Sequence, residues 1–252
     1  MNGGVLGSSE DQSSESPEIS PAISPEMSPE IWREIEEPVT LFGHWICPFS
    51  VRVEFALAQL GISYAVVDVP PSAARPKNFV VPEEFQANSP RAEIPMIREG
   101  GRYLADSIPI LERLYSAVGA LSGAALEEAH WVDQNIFPPM IAIYYGVNPE
   151  SIRRASERLV DSLGELATKL APNGWLVGDG ASIAEAALIP FYVRLDGLRS
   201  LGFEGDMPSL VQDHAARSLA LPGGVAVRWS DEQQSEFSGR FHKYRELKNS
   251  AE

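Results

Sequence analysis

Apolar positions change period early in the chain. Val39, Leu41 and Phe42 fall in a short extended run, whereas Val51, Val53, Phe55, Ala56, Leu57 and Leu60 recur at helical spacing. The pattern predicts a strand over 38–46 and a helix over 48–60, stopped by Gly61. Residues 62–69 are again β-branched and short, and Pro70-Pro71 ends them, so a second strand follows. Strand, helix and strand within about 30 residues suit a parallel pair joined by a crossover helix. Residues 71–86 read as loop with room for one short helix. Met96-Ile97-Arg98 and Arg102-Tyr103-Leu104 then flank Glu99-Gly100-Gly101 as a hairpin, its glycines supplying positive φ at the turn. A helix from Ser107 or Ile108 to about Val118 closes this α/β section.

From Ala120 the period is helical throughout. Residues 124–145 carry Trp131, Ile136, Phe137, Met140, Ile141, Tyr144 and Tyr145, with a kink or break expected at Pro138-Pro139. Residues 150–170 place Ile152, Leu159, Leu163, Leu166 and Leu170 on one face. Ser182 and Glu185 have the spacing of a capping box, which assigns them a folding role. A further helix over 207–219, a break at Pro222-Gly223-Gly224 and a polar helix over 230–247 carrying Phe237, Phe241 and Tyr244 complete the pattern. The expected architecture is an α/β domain over 38–118 followed by an all-α domain over 119–252.

Residues 1–37 differ in kind. From Ser16 a four-residue unit recurs as Ser-Pro-Glu-Ile, Ser-Pro-Ala-Ile, Ser-Pro-Glu-Met and Ser-Pro-Glu-Ile. Proline at every fourth position denies helical hydrogen bonds, and so little apolar surface cannot offset the entropy of ordering. A disordered tail is expected, either a phosphorylatable docking segment or a solubilising extension. It holds nine acidic side chains against Arg33 and so carries −8 of the chain's net −15. This charge argues against a nucleic acid or an anionic membrane as partner, since both require clustered Lys and Arg. No apolar run approaches the roughly 20 residues of a membrane span. One cysteine excludes an internal disulfide, and the chain shows no secretory signal pattern, so a reducing, cytoplasmic location is expected.

That cysteine is the candidate for chemistry. Cys47 ends the first strand's loop where a helix begins, and Pro48 takes the first helical position. A helix N-terminus carries unpaired N–H groups and partial positive charge, which favour the nucleophilic thiolate. The competing reading is an inert buried thiol. His44 is either a neighbour of the thiolate or a loop residue. Ser107, at another helix start, offers a hydroxyl and free N–H groups to a carboxylate, or simply caps its helix. No histidine pair has metal-ligand spacing, so no metal is expected.

The order strand, Cys47-Pro48-Phe49-Ser50, helix, strand, Ile94-Pro95, hairpin, Asp106-Ser107, helix resembles the thioredoxin-like N-terminal domain of cytosolic glutathione transferases. Cys47-Pro48-Phe49-Ser50 is most similar to the cysteine-type, omega-like members. The resemblance implies a thioredoxin-like domain over 38–118, a helical C-terminal domain, glutathione as co-substrate and a homodimer. It implies that Cys47 is catalytic and that Phe49, Ile94, Pro95, Asp106 and Ser107 bind glutathione. Pro95 is then cis, the backbone of Ile94 pairs with the cysteinyl part, and Asp106-Ser107 hold the γ-glutamyl end. Asp106 departs from the family's usual glutamate. Lys77 is a candidate for the glycyl carboxylate. The same resemblance puts the electrophile pocket near Trp131, Phe137, Met140 and Tyr144, any of which can equally be interhelical core. A cysteine without a second cysteine three residues on forms a mixed disulfide that needs an external thiol to resolve it. Two function classes follow: a glutathione-dependent thiol transferase or reductase acting on a small electrophile, and a transferase-fold binding or regulatory protein without turnover.

Overall fold

The computed structural model describes residues 34–250; the Ser-Pro repeats, and with them most of the expected disordered tail, lie outside this range. Strand β1 (Val39–Gly43) is buried along its whole length, as an apolar run flanked by strands on both sides must be. It pairs in parallel with β2 (Tyr64–Asp68) through helix α1 (Pro48–Gln59), and antiparallel with β3 (Met96–Glu99), which continues into β4 (Arg102–Ala105). The four-stranded sheet therefore has the order β2-β1-β3-β4. At the β3–β4 turn Gly100 and Gly101 have φ of 52° and 81°.

Alternation along β1 sorts the core into two layers. Val39 and Leu41 join Ile97 with α1 and α3 (Ser107–Ala117) on one face. Phe42 points to the other, where Met96, Val69 and Phe85 of the short helix α2 (Glu83–Asn88) form a smaller core. The N-terminal part is thus a thioredoxin-like α/β/α unit.

Among the described residues seven helices follow: α4 (Gly123–Asn135), α5 (Phe137–Tyr145), α6 (Pro149–Lys169), α7 (Ile183–Ser200), α8 (Ser209–Ala220), α9 (Pro222–Ala226) and α10 (Asp231–Asn249). The break expected at Pro138-Pro139 falls at Ile136, which ends α4 and caps α5. Proline in a first helical turn loses nothing, because its missing N–H would be unpaired there. One expectation is corrected. Pro222-Gly223-Gly224 opens α9 instead of breaking the chain. A side chain on Gly223 would stand 2.5 Å from the Phe55 carbonyl oxygen, so glycine there allows α9 to lie directly on α1. Helix α1 packs on α3, α7 and α9 as well as on β1, and joins the sheet to the helical half.

Candidate active site

The turn after β1 ends at Cys47, whose N–H donates to the His44 carbonyl at 3.0 Å. Cys47 is the N-cap of α1, with extended backbone (φ −80°, ψ 118°) and Pro48 directly after it. Cys47 is 6% exposed. It donates to the carbonyl of Ile94 at 3.9 Å, and the Ile94–Pro95 peptide is cis. His44 is used within the turn: its Nδ1 accepts from the Ile46 N–H at 3.1 Å, and its Nε2 lies 3.8 Å from Asp68. Burial outweighs Asp68 and lowers the His44 pKa, so the ring is neutral near neutral pH.

Cys47 and Ile94 border a cleft of about 520 Å³ closed by Phe49 of α1, by Ile141, Tyr144 and Tyr145 of α5, and by Phe237, Phe241 and Tyr244 of α10. The rings of Tyr144 and Phe237 meet edge-on at 5.1 Å, and Phe241 is 5.1 Å from Tyr144. A flat, apolar substituent would have aromatic faces to stack on. Of the four residues expected to form this pocket, Tyr144 lines it. Trp131 instead donates to Glu165 at 2.8 Å under the Lys169 ammonium. Phe137 stacks on Phe49 behind the cleft, and Met140 is fully buried in the core. The α10 rings complete the wall; their stripe at positions 237, 241 and 244 of a polar helix is the signal that could have found them.

Asp106 and Ser107 lie beyond this cleft at the start of α3. Asp106 is the N-cap at φ 71°, its side chain makes no capping bond, and its carboxylate pairs with Arg91, which also holds Glu93 at 3.0 Å. Ser107 is the first helical residue, so it does not cap α3. Pro109 removes one N–H from the first turn and leaves those of Ser107 and Ile108 there. Lys77 is not among the residues lining the cleft. A second hollow of about 720 Å³ between α6 and the end of α7 is lined by none of these residues.

Two buried arginines stand behind the Cys47 turn. Arg52 of α1 lies beside the stacked Phe49 and Phe137 rings, its guanidinium carbon 5.0 and 4.5 Å from their centroids, and pairs with Asp133 of α4 at 2.6 Å. Arg194 of α7 donates to the Ile46 carbonyl at 2.9 Å. Among the described residues no group of three His, Cys, Asp or Glu is placed to hold a metal ion, and no helix is long and apolar enough to cross a membrane.

The family model for the glutathione S-transferase N-terminal domain matches residues 41–121, and that for the C-terminal domain matches residues 149–216. Together they cover more than half of the sequence. The chain belongs to the glutathione S-transferase superfamily. Glutathione S-transferase F10 of Arabidopsis thaliana is 25% identical over an alignment 169 positions long that covers 59% of this chain and 77% of that protein. Among solved structures, rice GST1 in complex with glutathione superposes with a TM-score of 0.70 at 17% identity, covering 85% of this chain and 98% of that one. Glutathione transferase Omega 3C from Trametes versicolor gives 0.68 at 18%, covering 87% and 94%. At such identity these structures establish the transferase fold; the cysteine's role rests on the chemistry of the site.

Proposed function

We propose that this transferase-family protein is a cysteine-type, glutathione-dependent thiol transferase. The carrying observation is the Cys47 thiol at the N-cap of α1, bonded to the carbonyl before the cis proline and facing an aromatic cleft. In this reading the Cys47 thiolate attacks the glutathionyl sulfur of a mixed disulfide. The S–S bond breaks, and the departing sulfur takes the electron pair and then a proton. A second glutathione thiolate attacks the glutathionyl sulfur now on Cys47, giving oxidised glutathione and returning the pair to Cys47. An electrophilic carbon that Cys47 attacks in place of sulfur is the other substrate class.

For glutathione, the Ile94 backbone takes the cysteinyl part, with Pro95 and Phe49 beside it. Asp106 takes the γ-glutamyl ammonium, and Ser107 with the N-terminus of α3 takes its carboxylate. The electrophile occupies the space between Tyr144 and α10. The proposed domains are 38–118 and 119–252, assembled as a cytoplasmic homodimer.

Intact-protein mass spectrometry after exposure to oxidised glutathione tests this. Wild type should gain one glutathione, Cys47→Ser none, and thiol transfer should fall to background in the variant. An equally active Ser variant would overturn the proposal. An unmodified wild type without turnover, retaining a protein partner through residues 1–37, would favour the non-catalytic binding protein.

A further inference from the structure

Arg52 and Arg194 are both 0% exposed, but only Arg52 has a carboxylate. Arg194 pairs with none among the described residues. Its Nη1 donates to the Pro190 carbonyl and its Nη2 to the Ile46 carbonyl, each at 2.9 Å, while Nε makes no hydrogen bond. The Trp229 ring lies 4.8 Å from the guanidinium carbon, a contact that offsets part of a desolvated charge without matching it. A buried cation with no anion is strongly unfavourable, so a charge partner should exist in some state of the protein.

The neighbours narrow the choice. Burial pulls the Arg194 pKa down, Arg52 of α1 adds to this, and Tyr144 of α5 and Cys47 act the other way. Burial also pushes the Tyr144 phenol far above its ordinary value, so Tyr144 is neutral near neutral pH. The remaining anion is the Cys47 thiolate, next in sequence to the carbonyl that Arg194 holds.

We propose that Arg194 is a positioning residue that fixes the Ile46–Cys47 peptide and supplies the buried counter-charge of the Cys47 thiolate. This assignment deepens the thiol-transfer reading and, for its catalytic consequence, rests on it. In the mixed disulfide the Cys47 sulfur is neutral and Arg194 has lost its anion. When glutathione thiolate attacks the glutathionyl sulfur, the electron pair returns to Cys47 and restores the ion pair. Arg194 thereby makes Cys47 the favoured leaving group in the step that releases the product.

Alkylation of Cys47 by iodoacetamide in the full chain tests this without any glutathione. Arg194→Gln keeps a donor for the Ile46 carbonyl but no charge, and Arg194→Lys keeps the charge. The Gln variant should react about tenfold more slowly than wild type near neutral pH, and equally fast at alkaline pH where every thiol is ionised. The Lys variant should recover most of the neutral-pH rate. A Gln variant as fast as wild type near neutral pH, or one slow at both, overturns the assignment. Should Arg194→Gln not fold, Cys47→Ala in the wild-type background decides. The denaturation midpoint of wild type should exceed that of Cys47→Ala by a margin that grows with pH, and a margin independent of pH overturns the proposal. Glutathione takes no part in either measurement, so failure of the adduct experiment leaves this result intact, and the reverse holds.

Discussion

Asp106 occupies a backbone conformation that costs a non-glycine residue about 1–3 kcal/mol, yet its side chain caps nothing. Its ion pair with Arg91 is half exposed on both sides and, as such pairs go, is worth about 1 kcal/mol or less. Local stability does not account for the strain. The conformation does set a carboxylate at the N-terminus of α3, the arrangement that the proposed γ-glutamyl subsite calls for. Asp106→Asn should raise KM for glutathione about tenfold, from the loss of one charge-assisted hydrogen bond, with kcat within about twofold and the denaturation midpoint unchanged. An unchanged KM would remove Asp106 from the glutathione subsite. Cys47 and Ser107 were legible in the sequence as helix starts and Pro95 as a strand start, because such boundaries are written in neighbouring positions, whereas Ile94 and Asp106 came only from the resemblance. Arg52 and Arg194 were not legible. An arginine in a helical pattern reads as solvent-facing, and their partners lie 81 and 148 residues away.

Helix α7 begins with the one long-range network whose local part the sequence announced. Ser182 accepts from the Ala184 N–H, and Glu185 accepts from the Ser182 N–H at 2.7 Å, closing the capping box. Ser182→Ala should therefore cost about 1 kcal/mol in denaturation. The structure adds what spacing could not. Glu185 is 1% exposed, also accepts from the Leu176 N–H at 2.9 Å, and faces His214 Nε2 at 3.4 Å, while His214 Nδ1 meets the Tyr192 hydroxyl at 2.7 Å. An ionised Glu185 can only accept, so the His214 nitrogen that faces it is a donor. Burial alone would raise the Glu185 pKa, but the bonds from His214, Leu176 and Ser182 together hold it below its ordinary 4.5. A carboxyl lowered by folding adds stability above its unfolded pKa and loses it as pH falls through the folded one. Glu185→Gln should thus be about 2 kcal/mol less stable than wild type at neutral pH, the gap narrowing as urea midpoints are taken below 4.5. A gap that stays constant into acid would show that the charge of Glu185 contributes nothing.

The two halves of the molecule were legible as a mixed strand-and-helix pattern giving way at Ala120 to helical patterning throughout, but their joint was not. Helix α1 carries the Cys47 turn at one end, the sheet on one side and α7 and α9 on the other. Across it Arg52 reaches from the α/β half to Asp133 of the helical half, its guanidinium beside the stacked rings of Phe49 and Phe137. Removing the carboxylate leaves a buried charge without its partner, so Asp133→Ala should lose about 3–5 kcal/mol, while Arg52→Met with Asp133→Leu should regain much of it. Because α1 belongs to both cores, the loss should appear as one earlier transition. Far-ultraviolet circular dichroism, which reports all helices, and tryptophan fluorescence, to which Trp45 of the Cys47 turn and Trp131, Trp175 and Trp229 of the helical half contribute alongside Trp32, should move together. Separate midpoints would mean that the halves unfold independently and that α1 is a hinge. Coincident midpoints would make the rigidity of the Cys47 turn a property of the whole fold, because the helix whose N-terminus faces the sulfur cannot loosen without both cores.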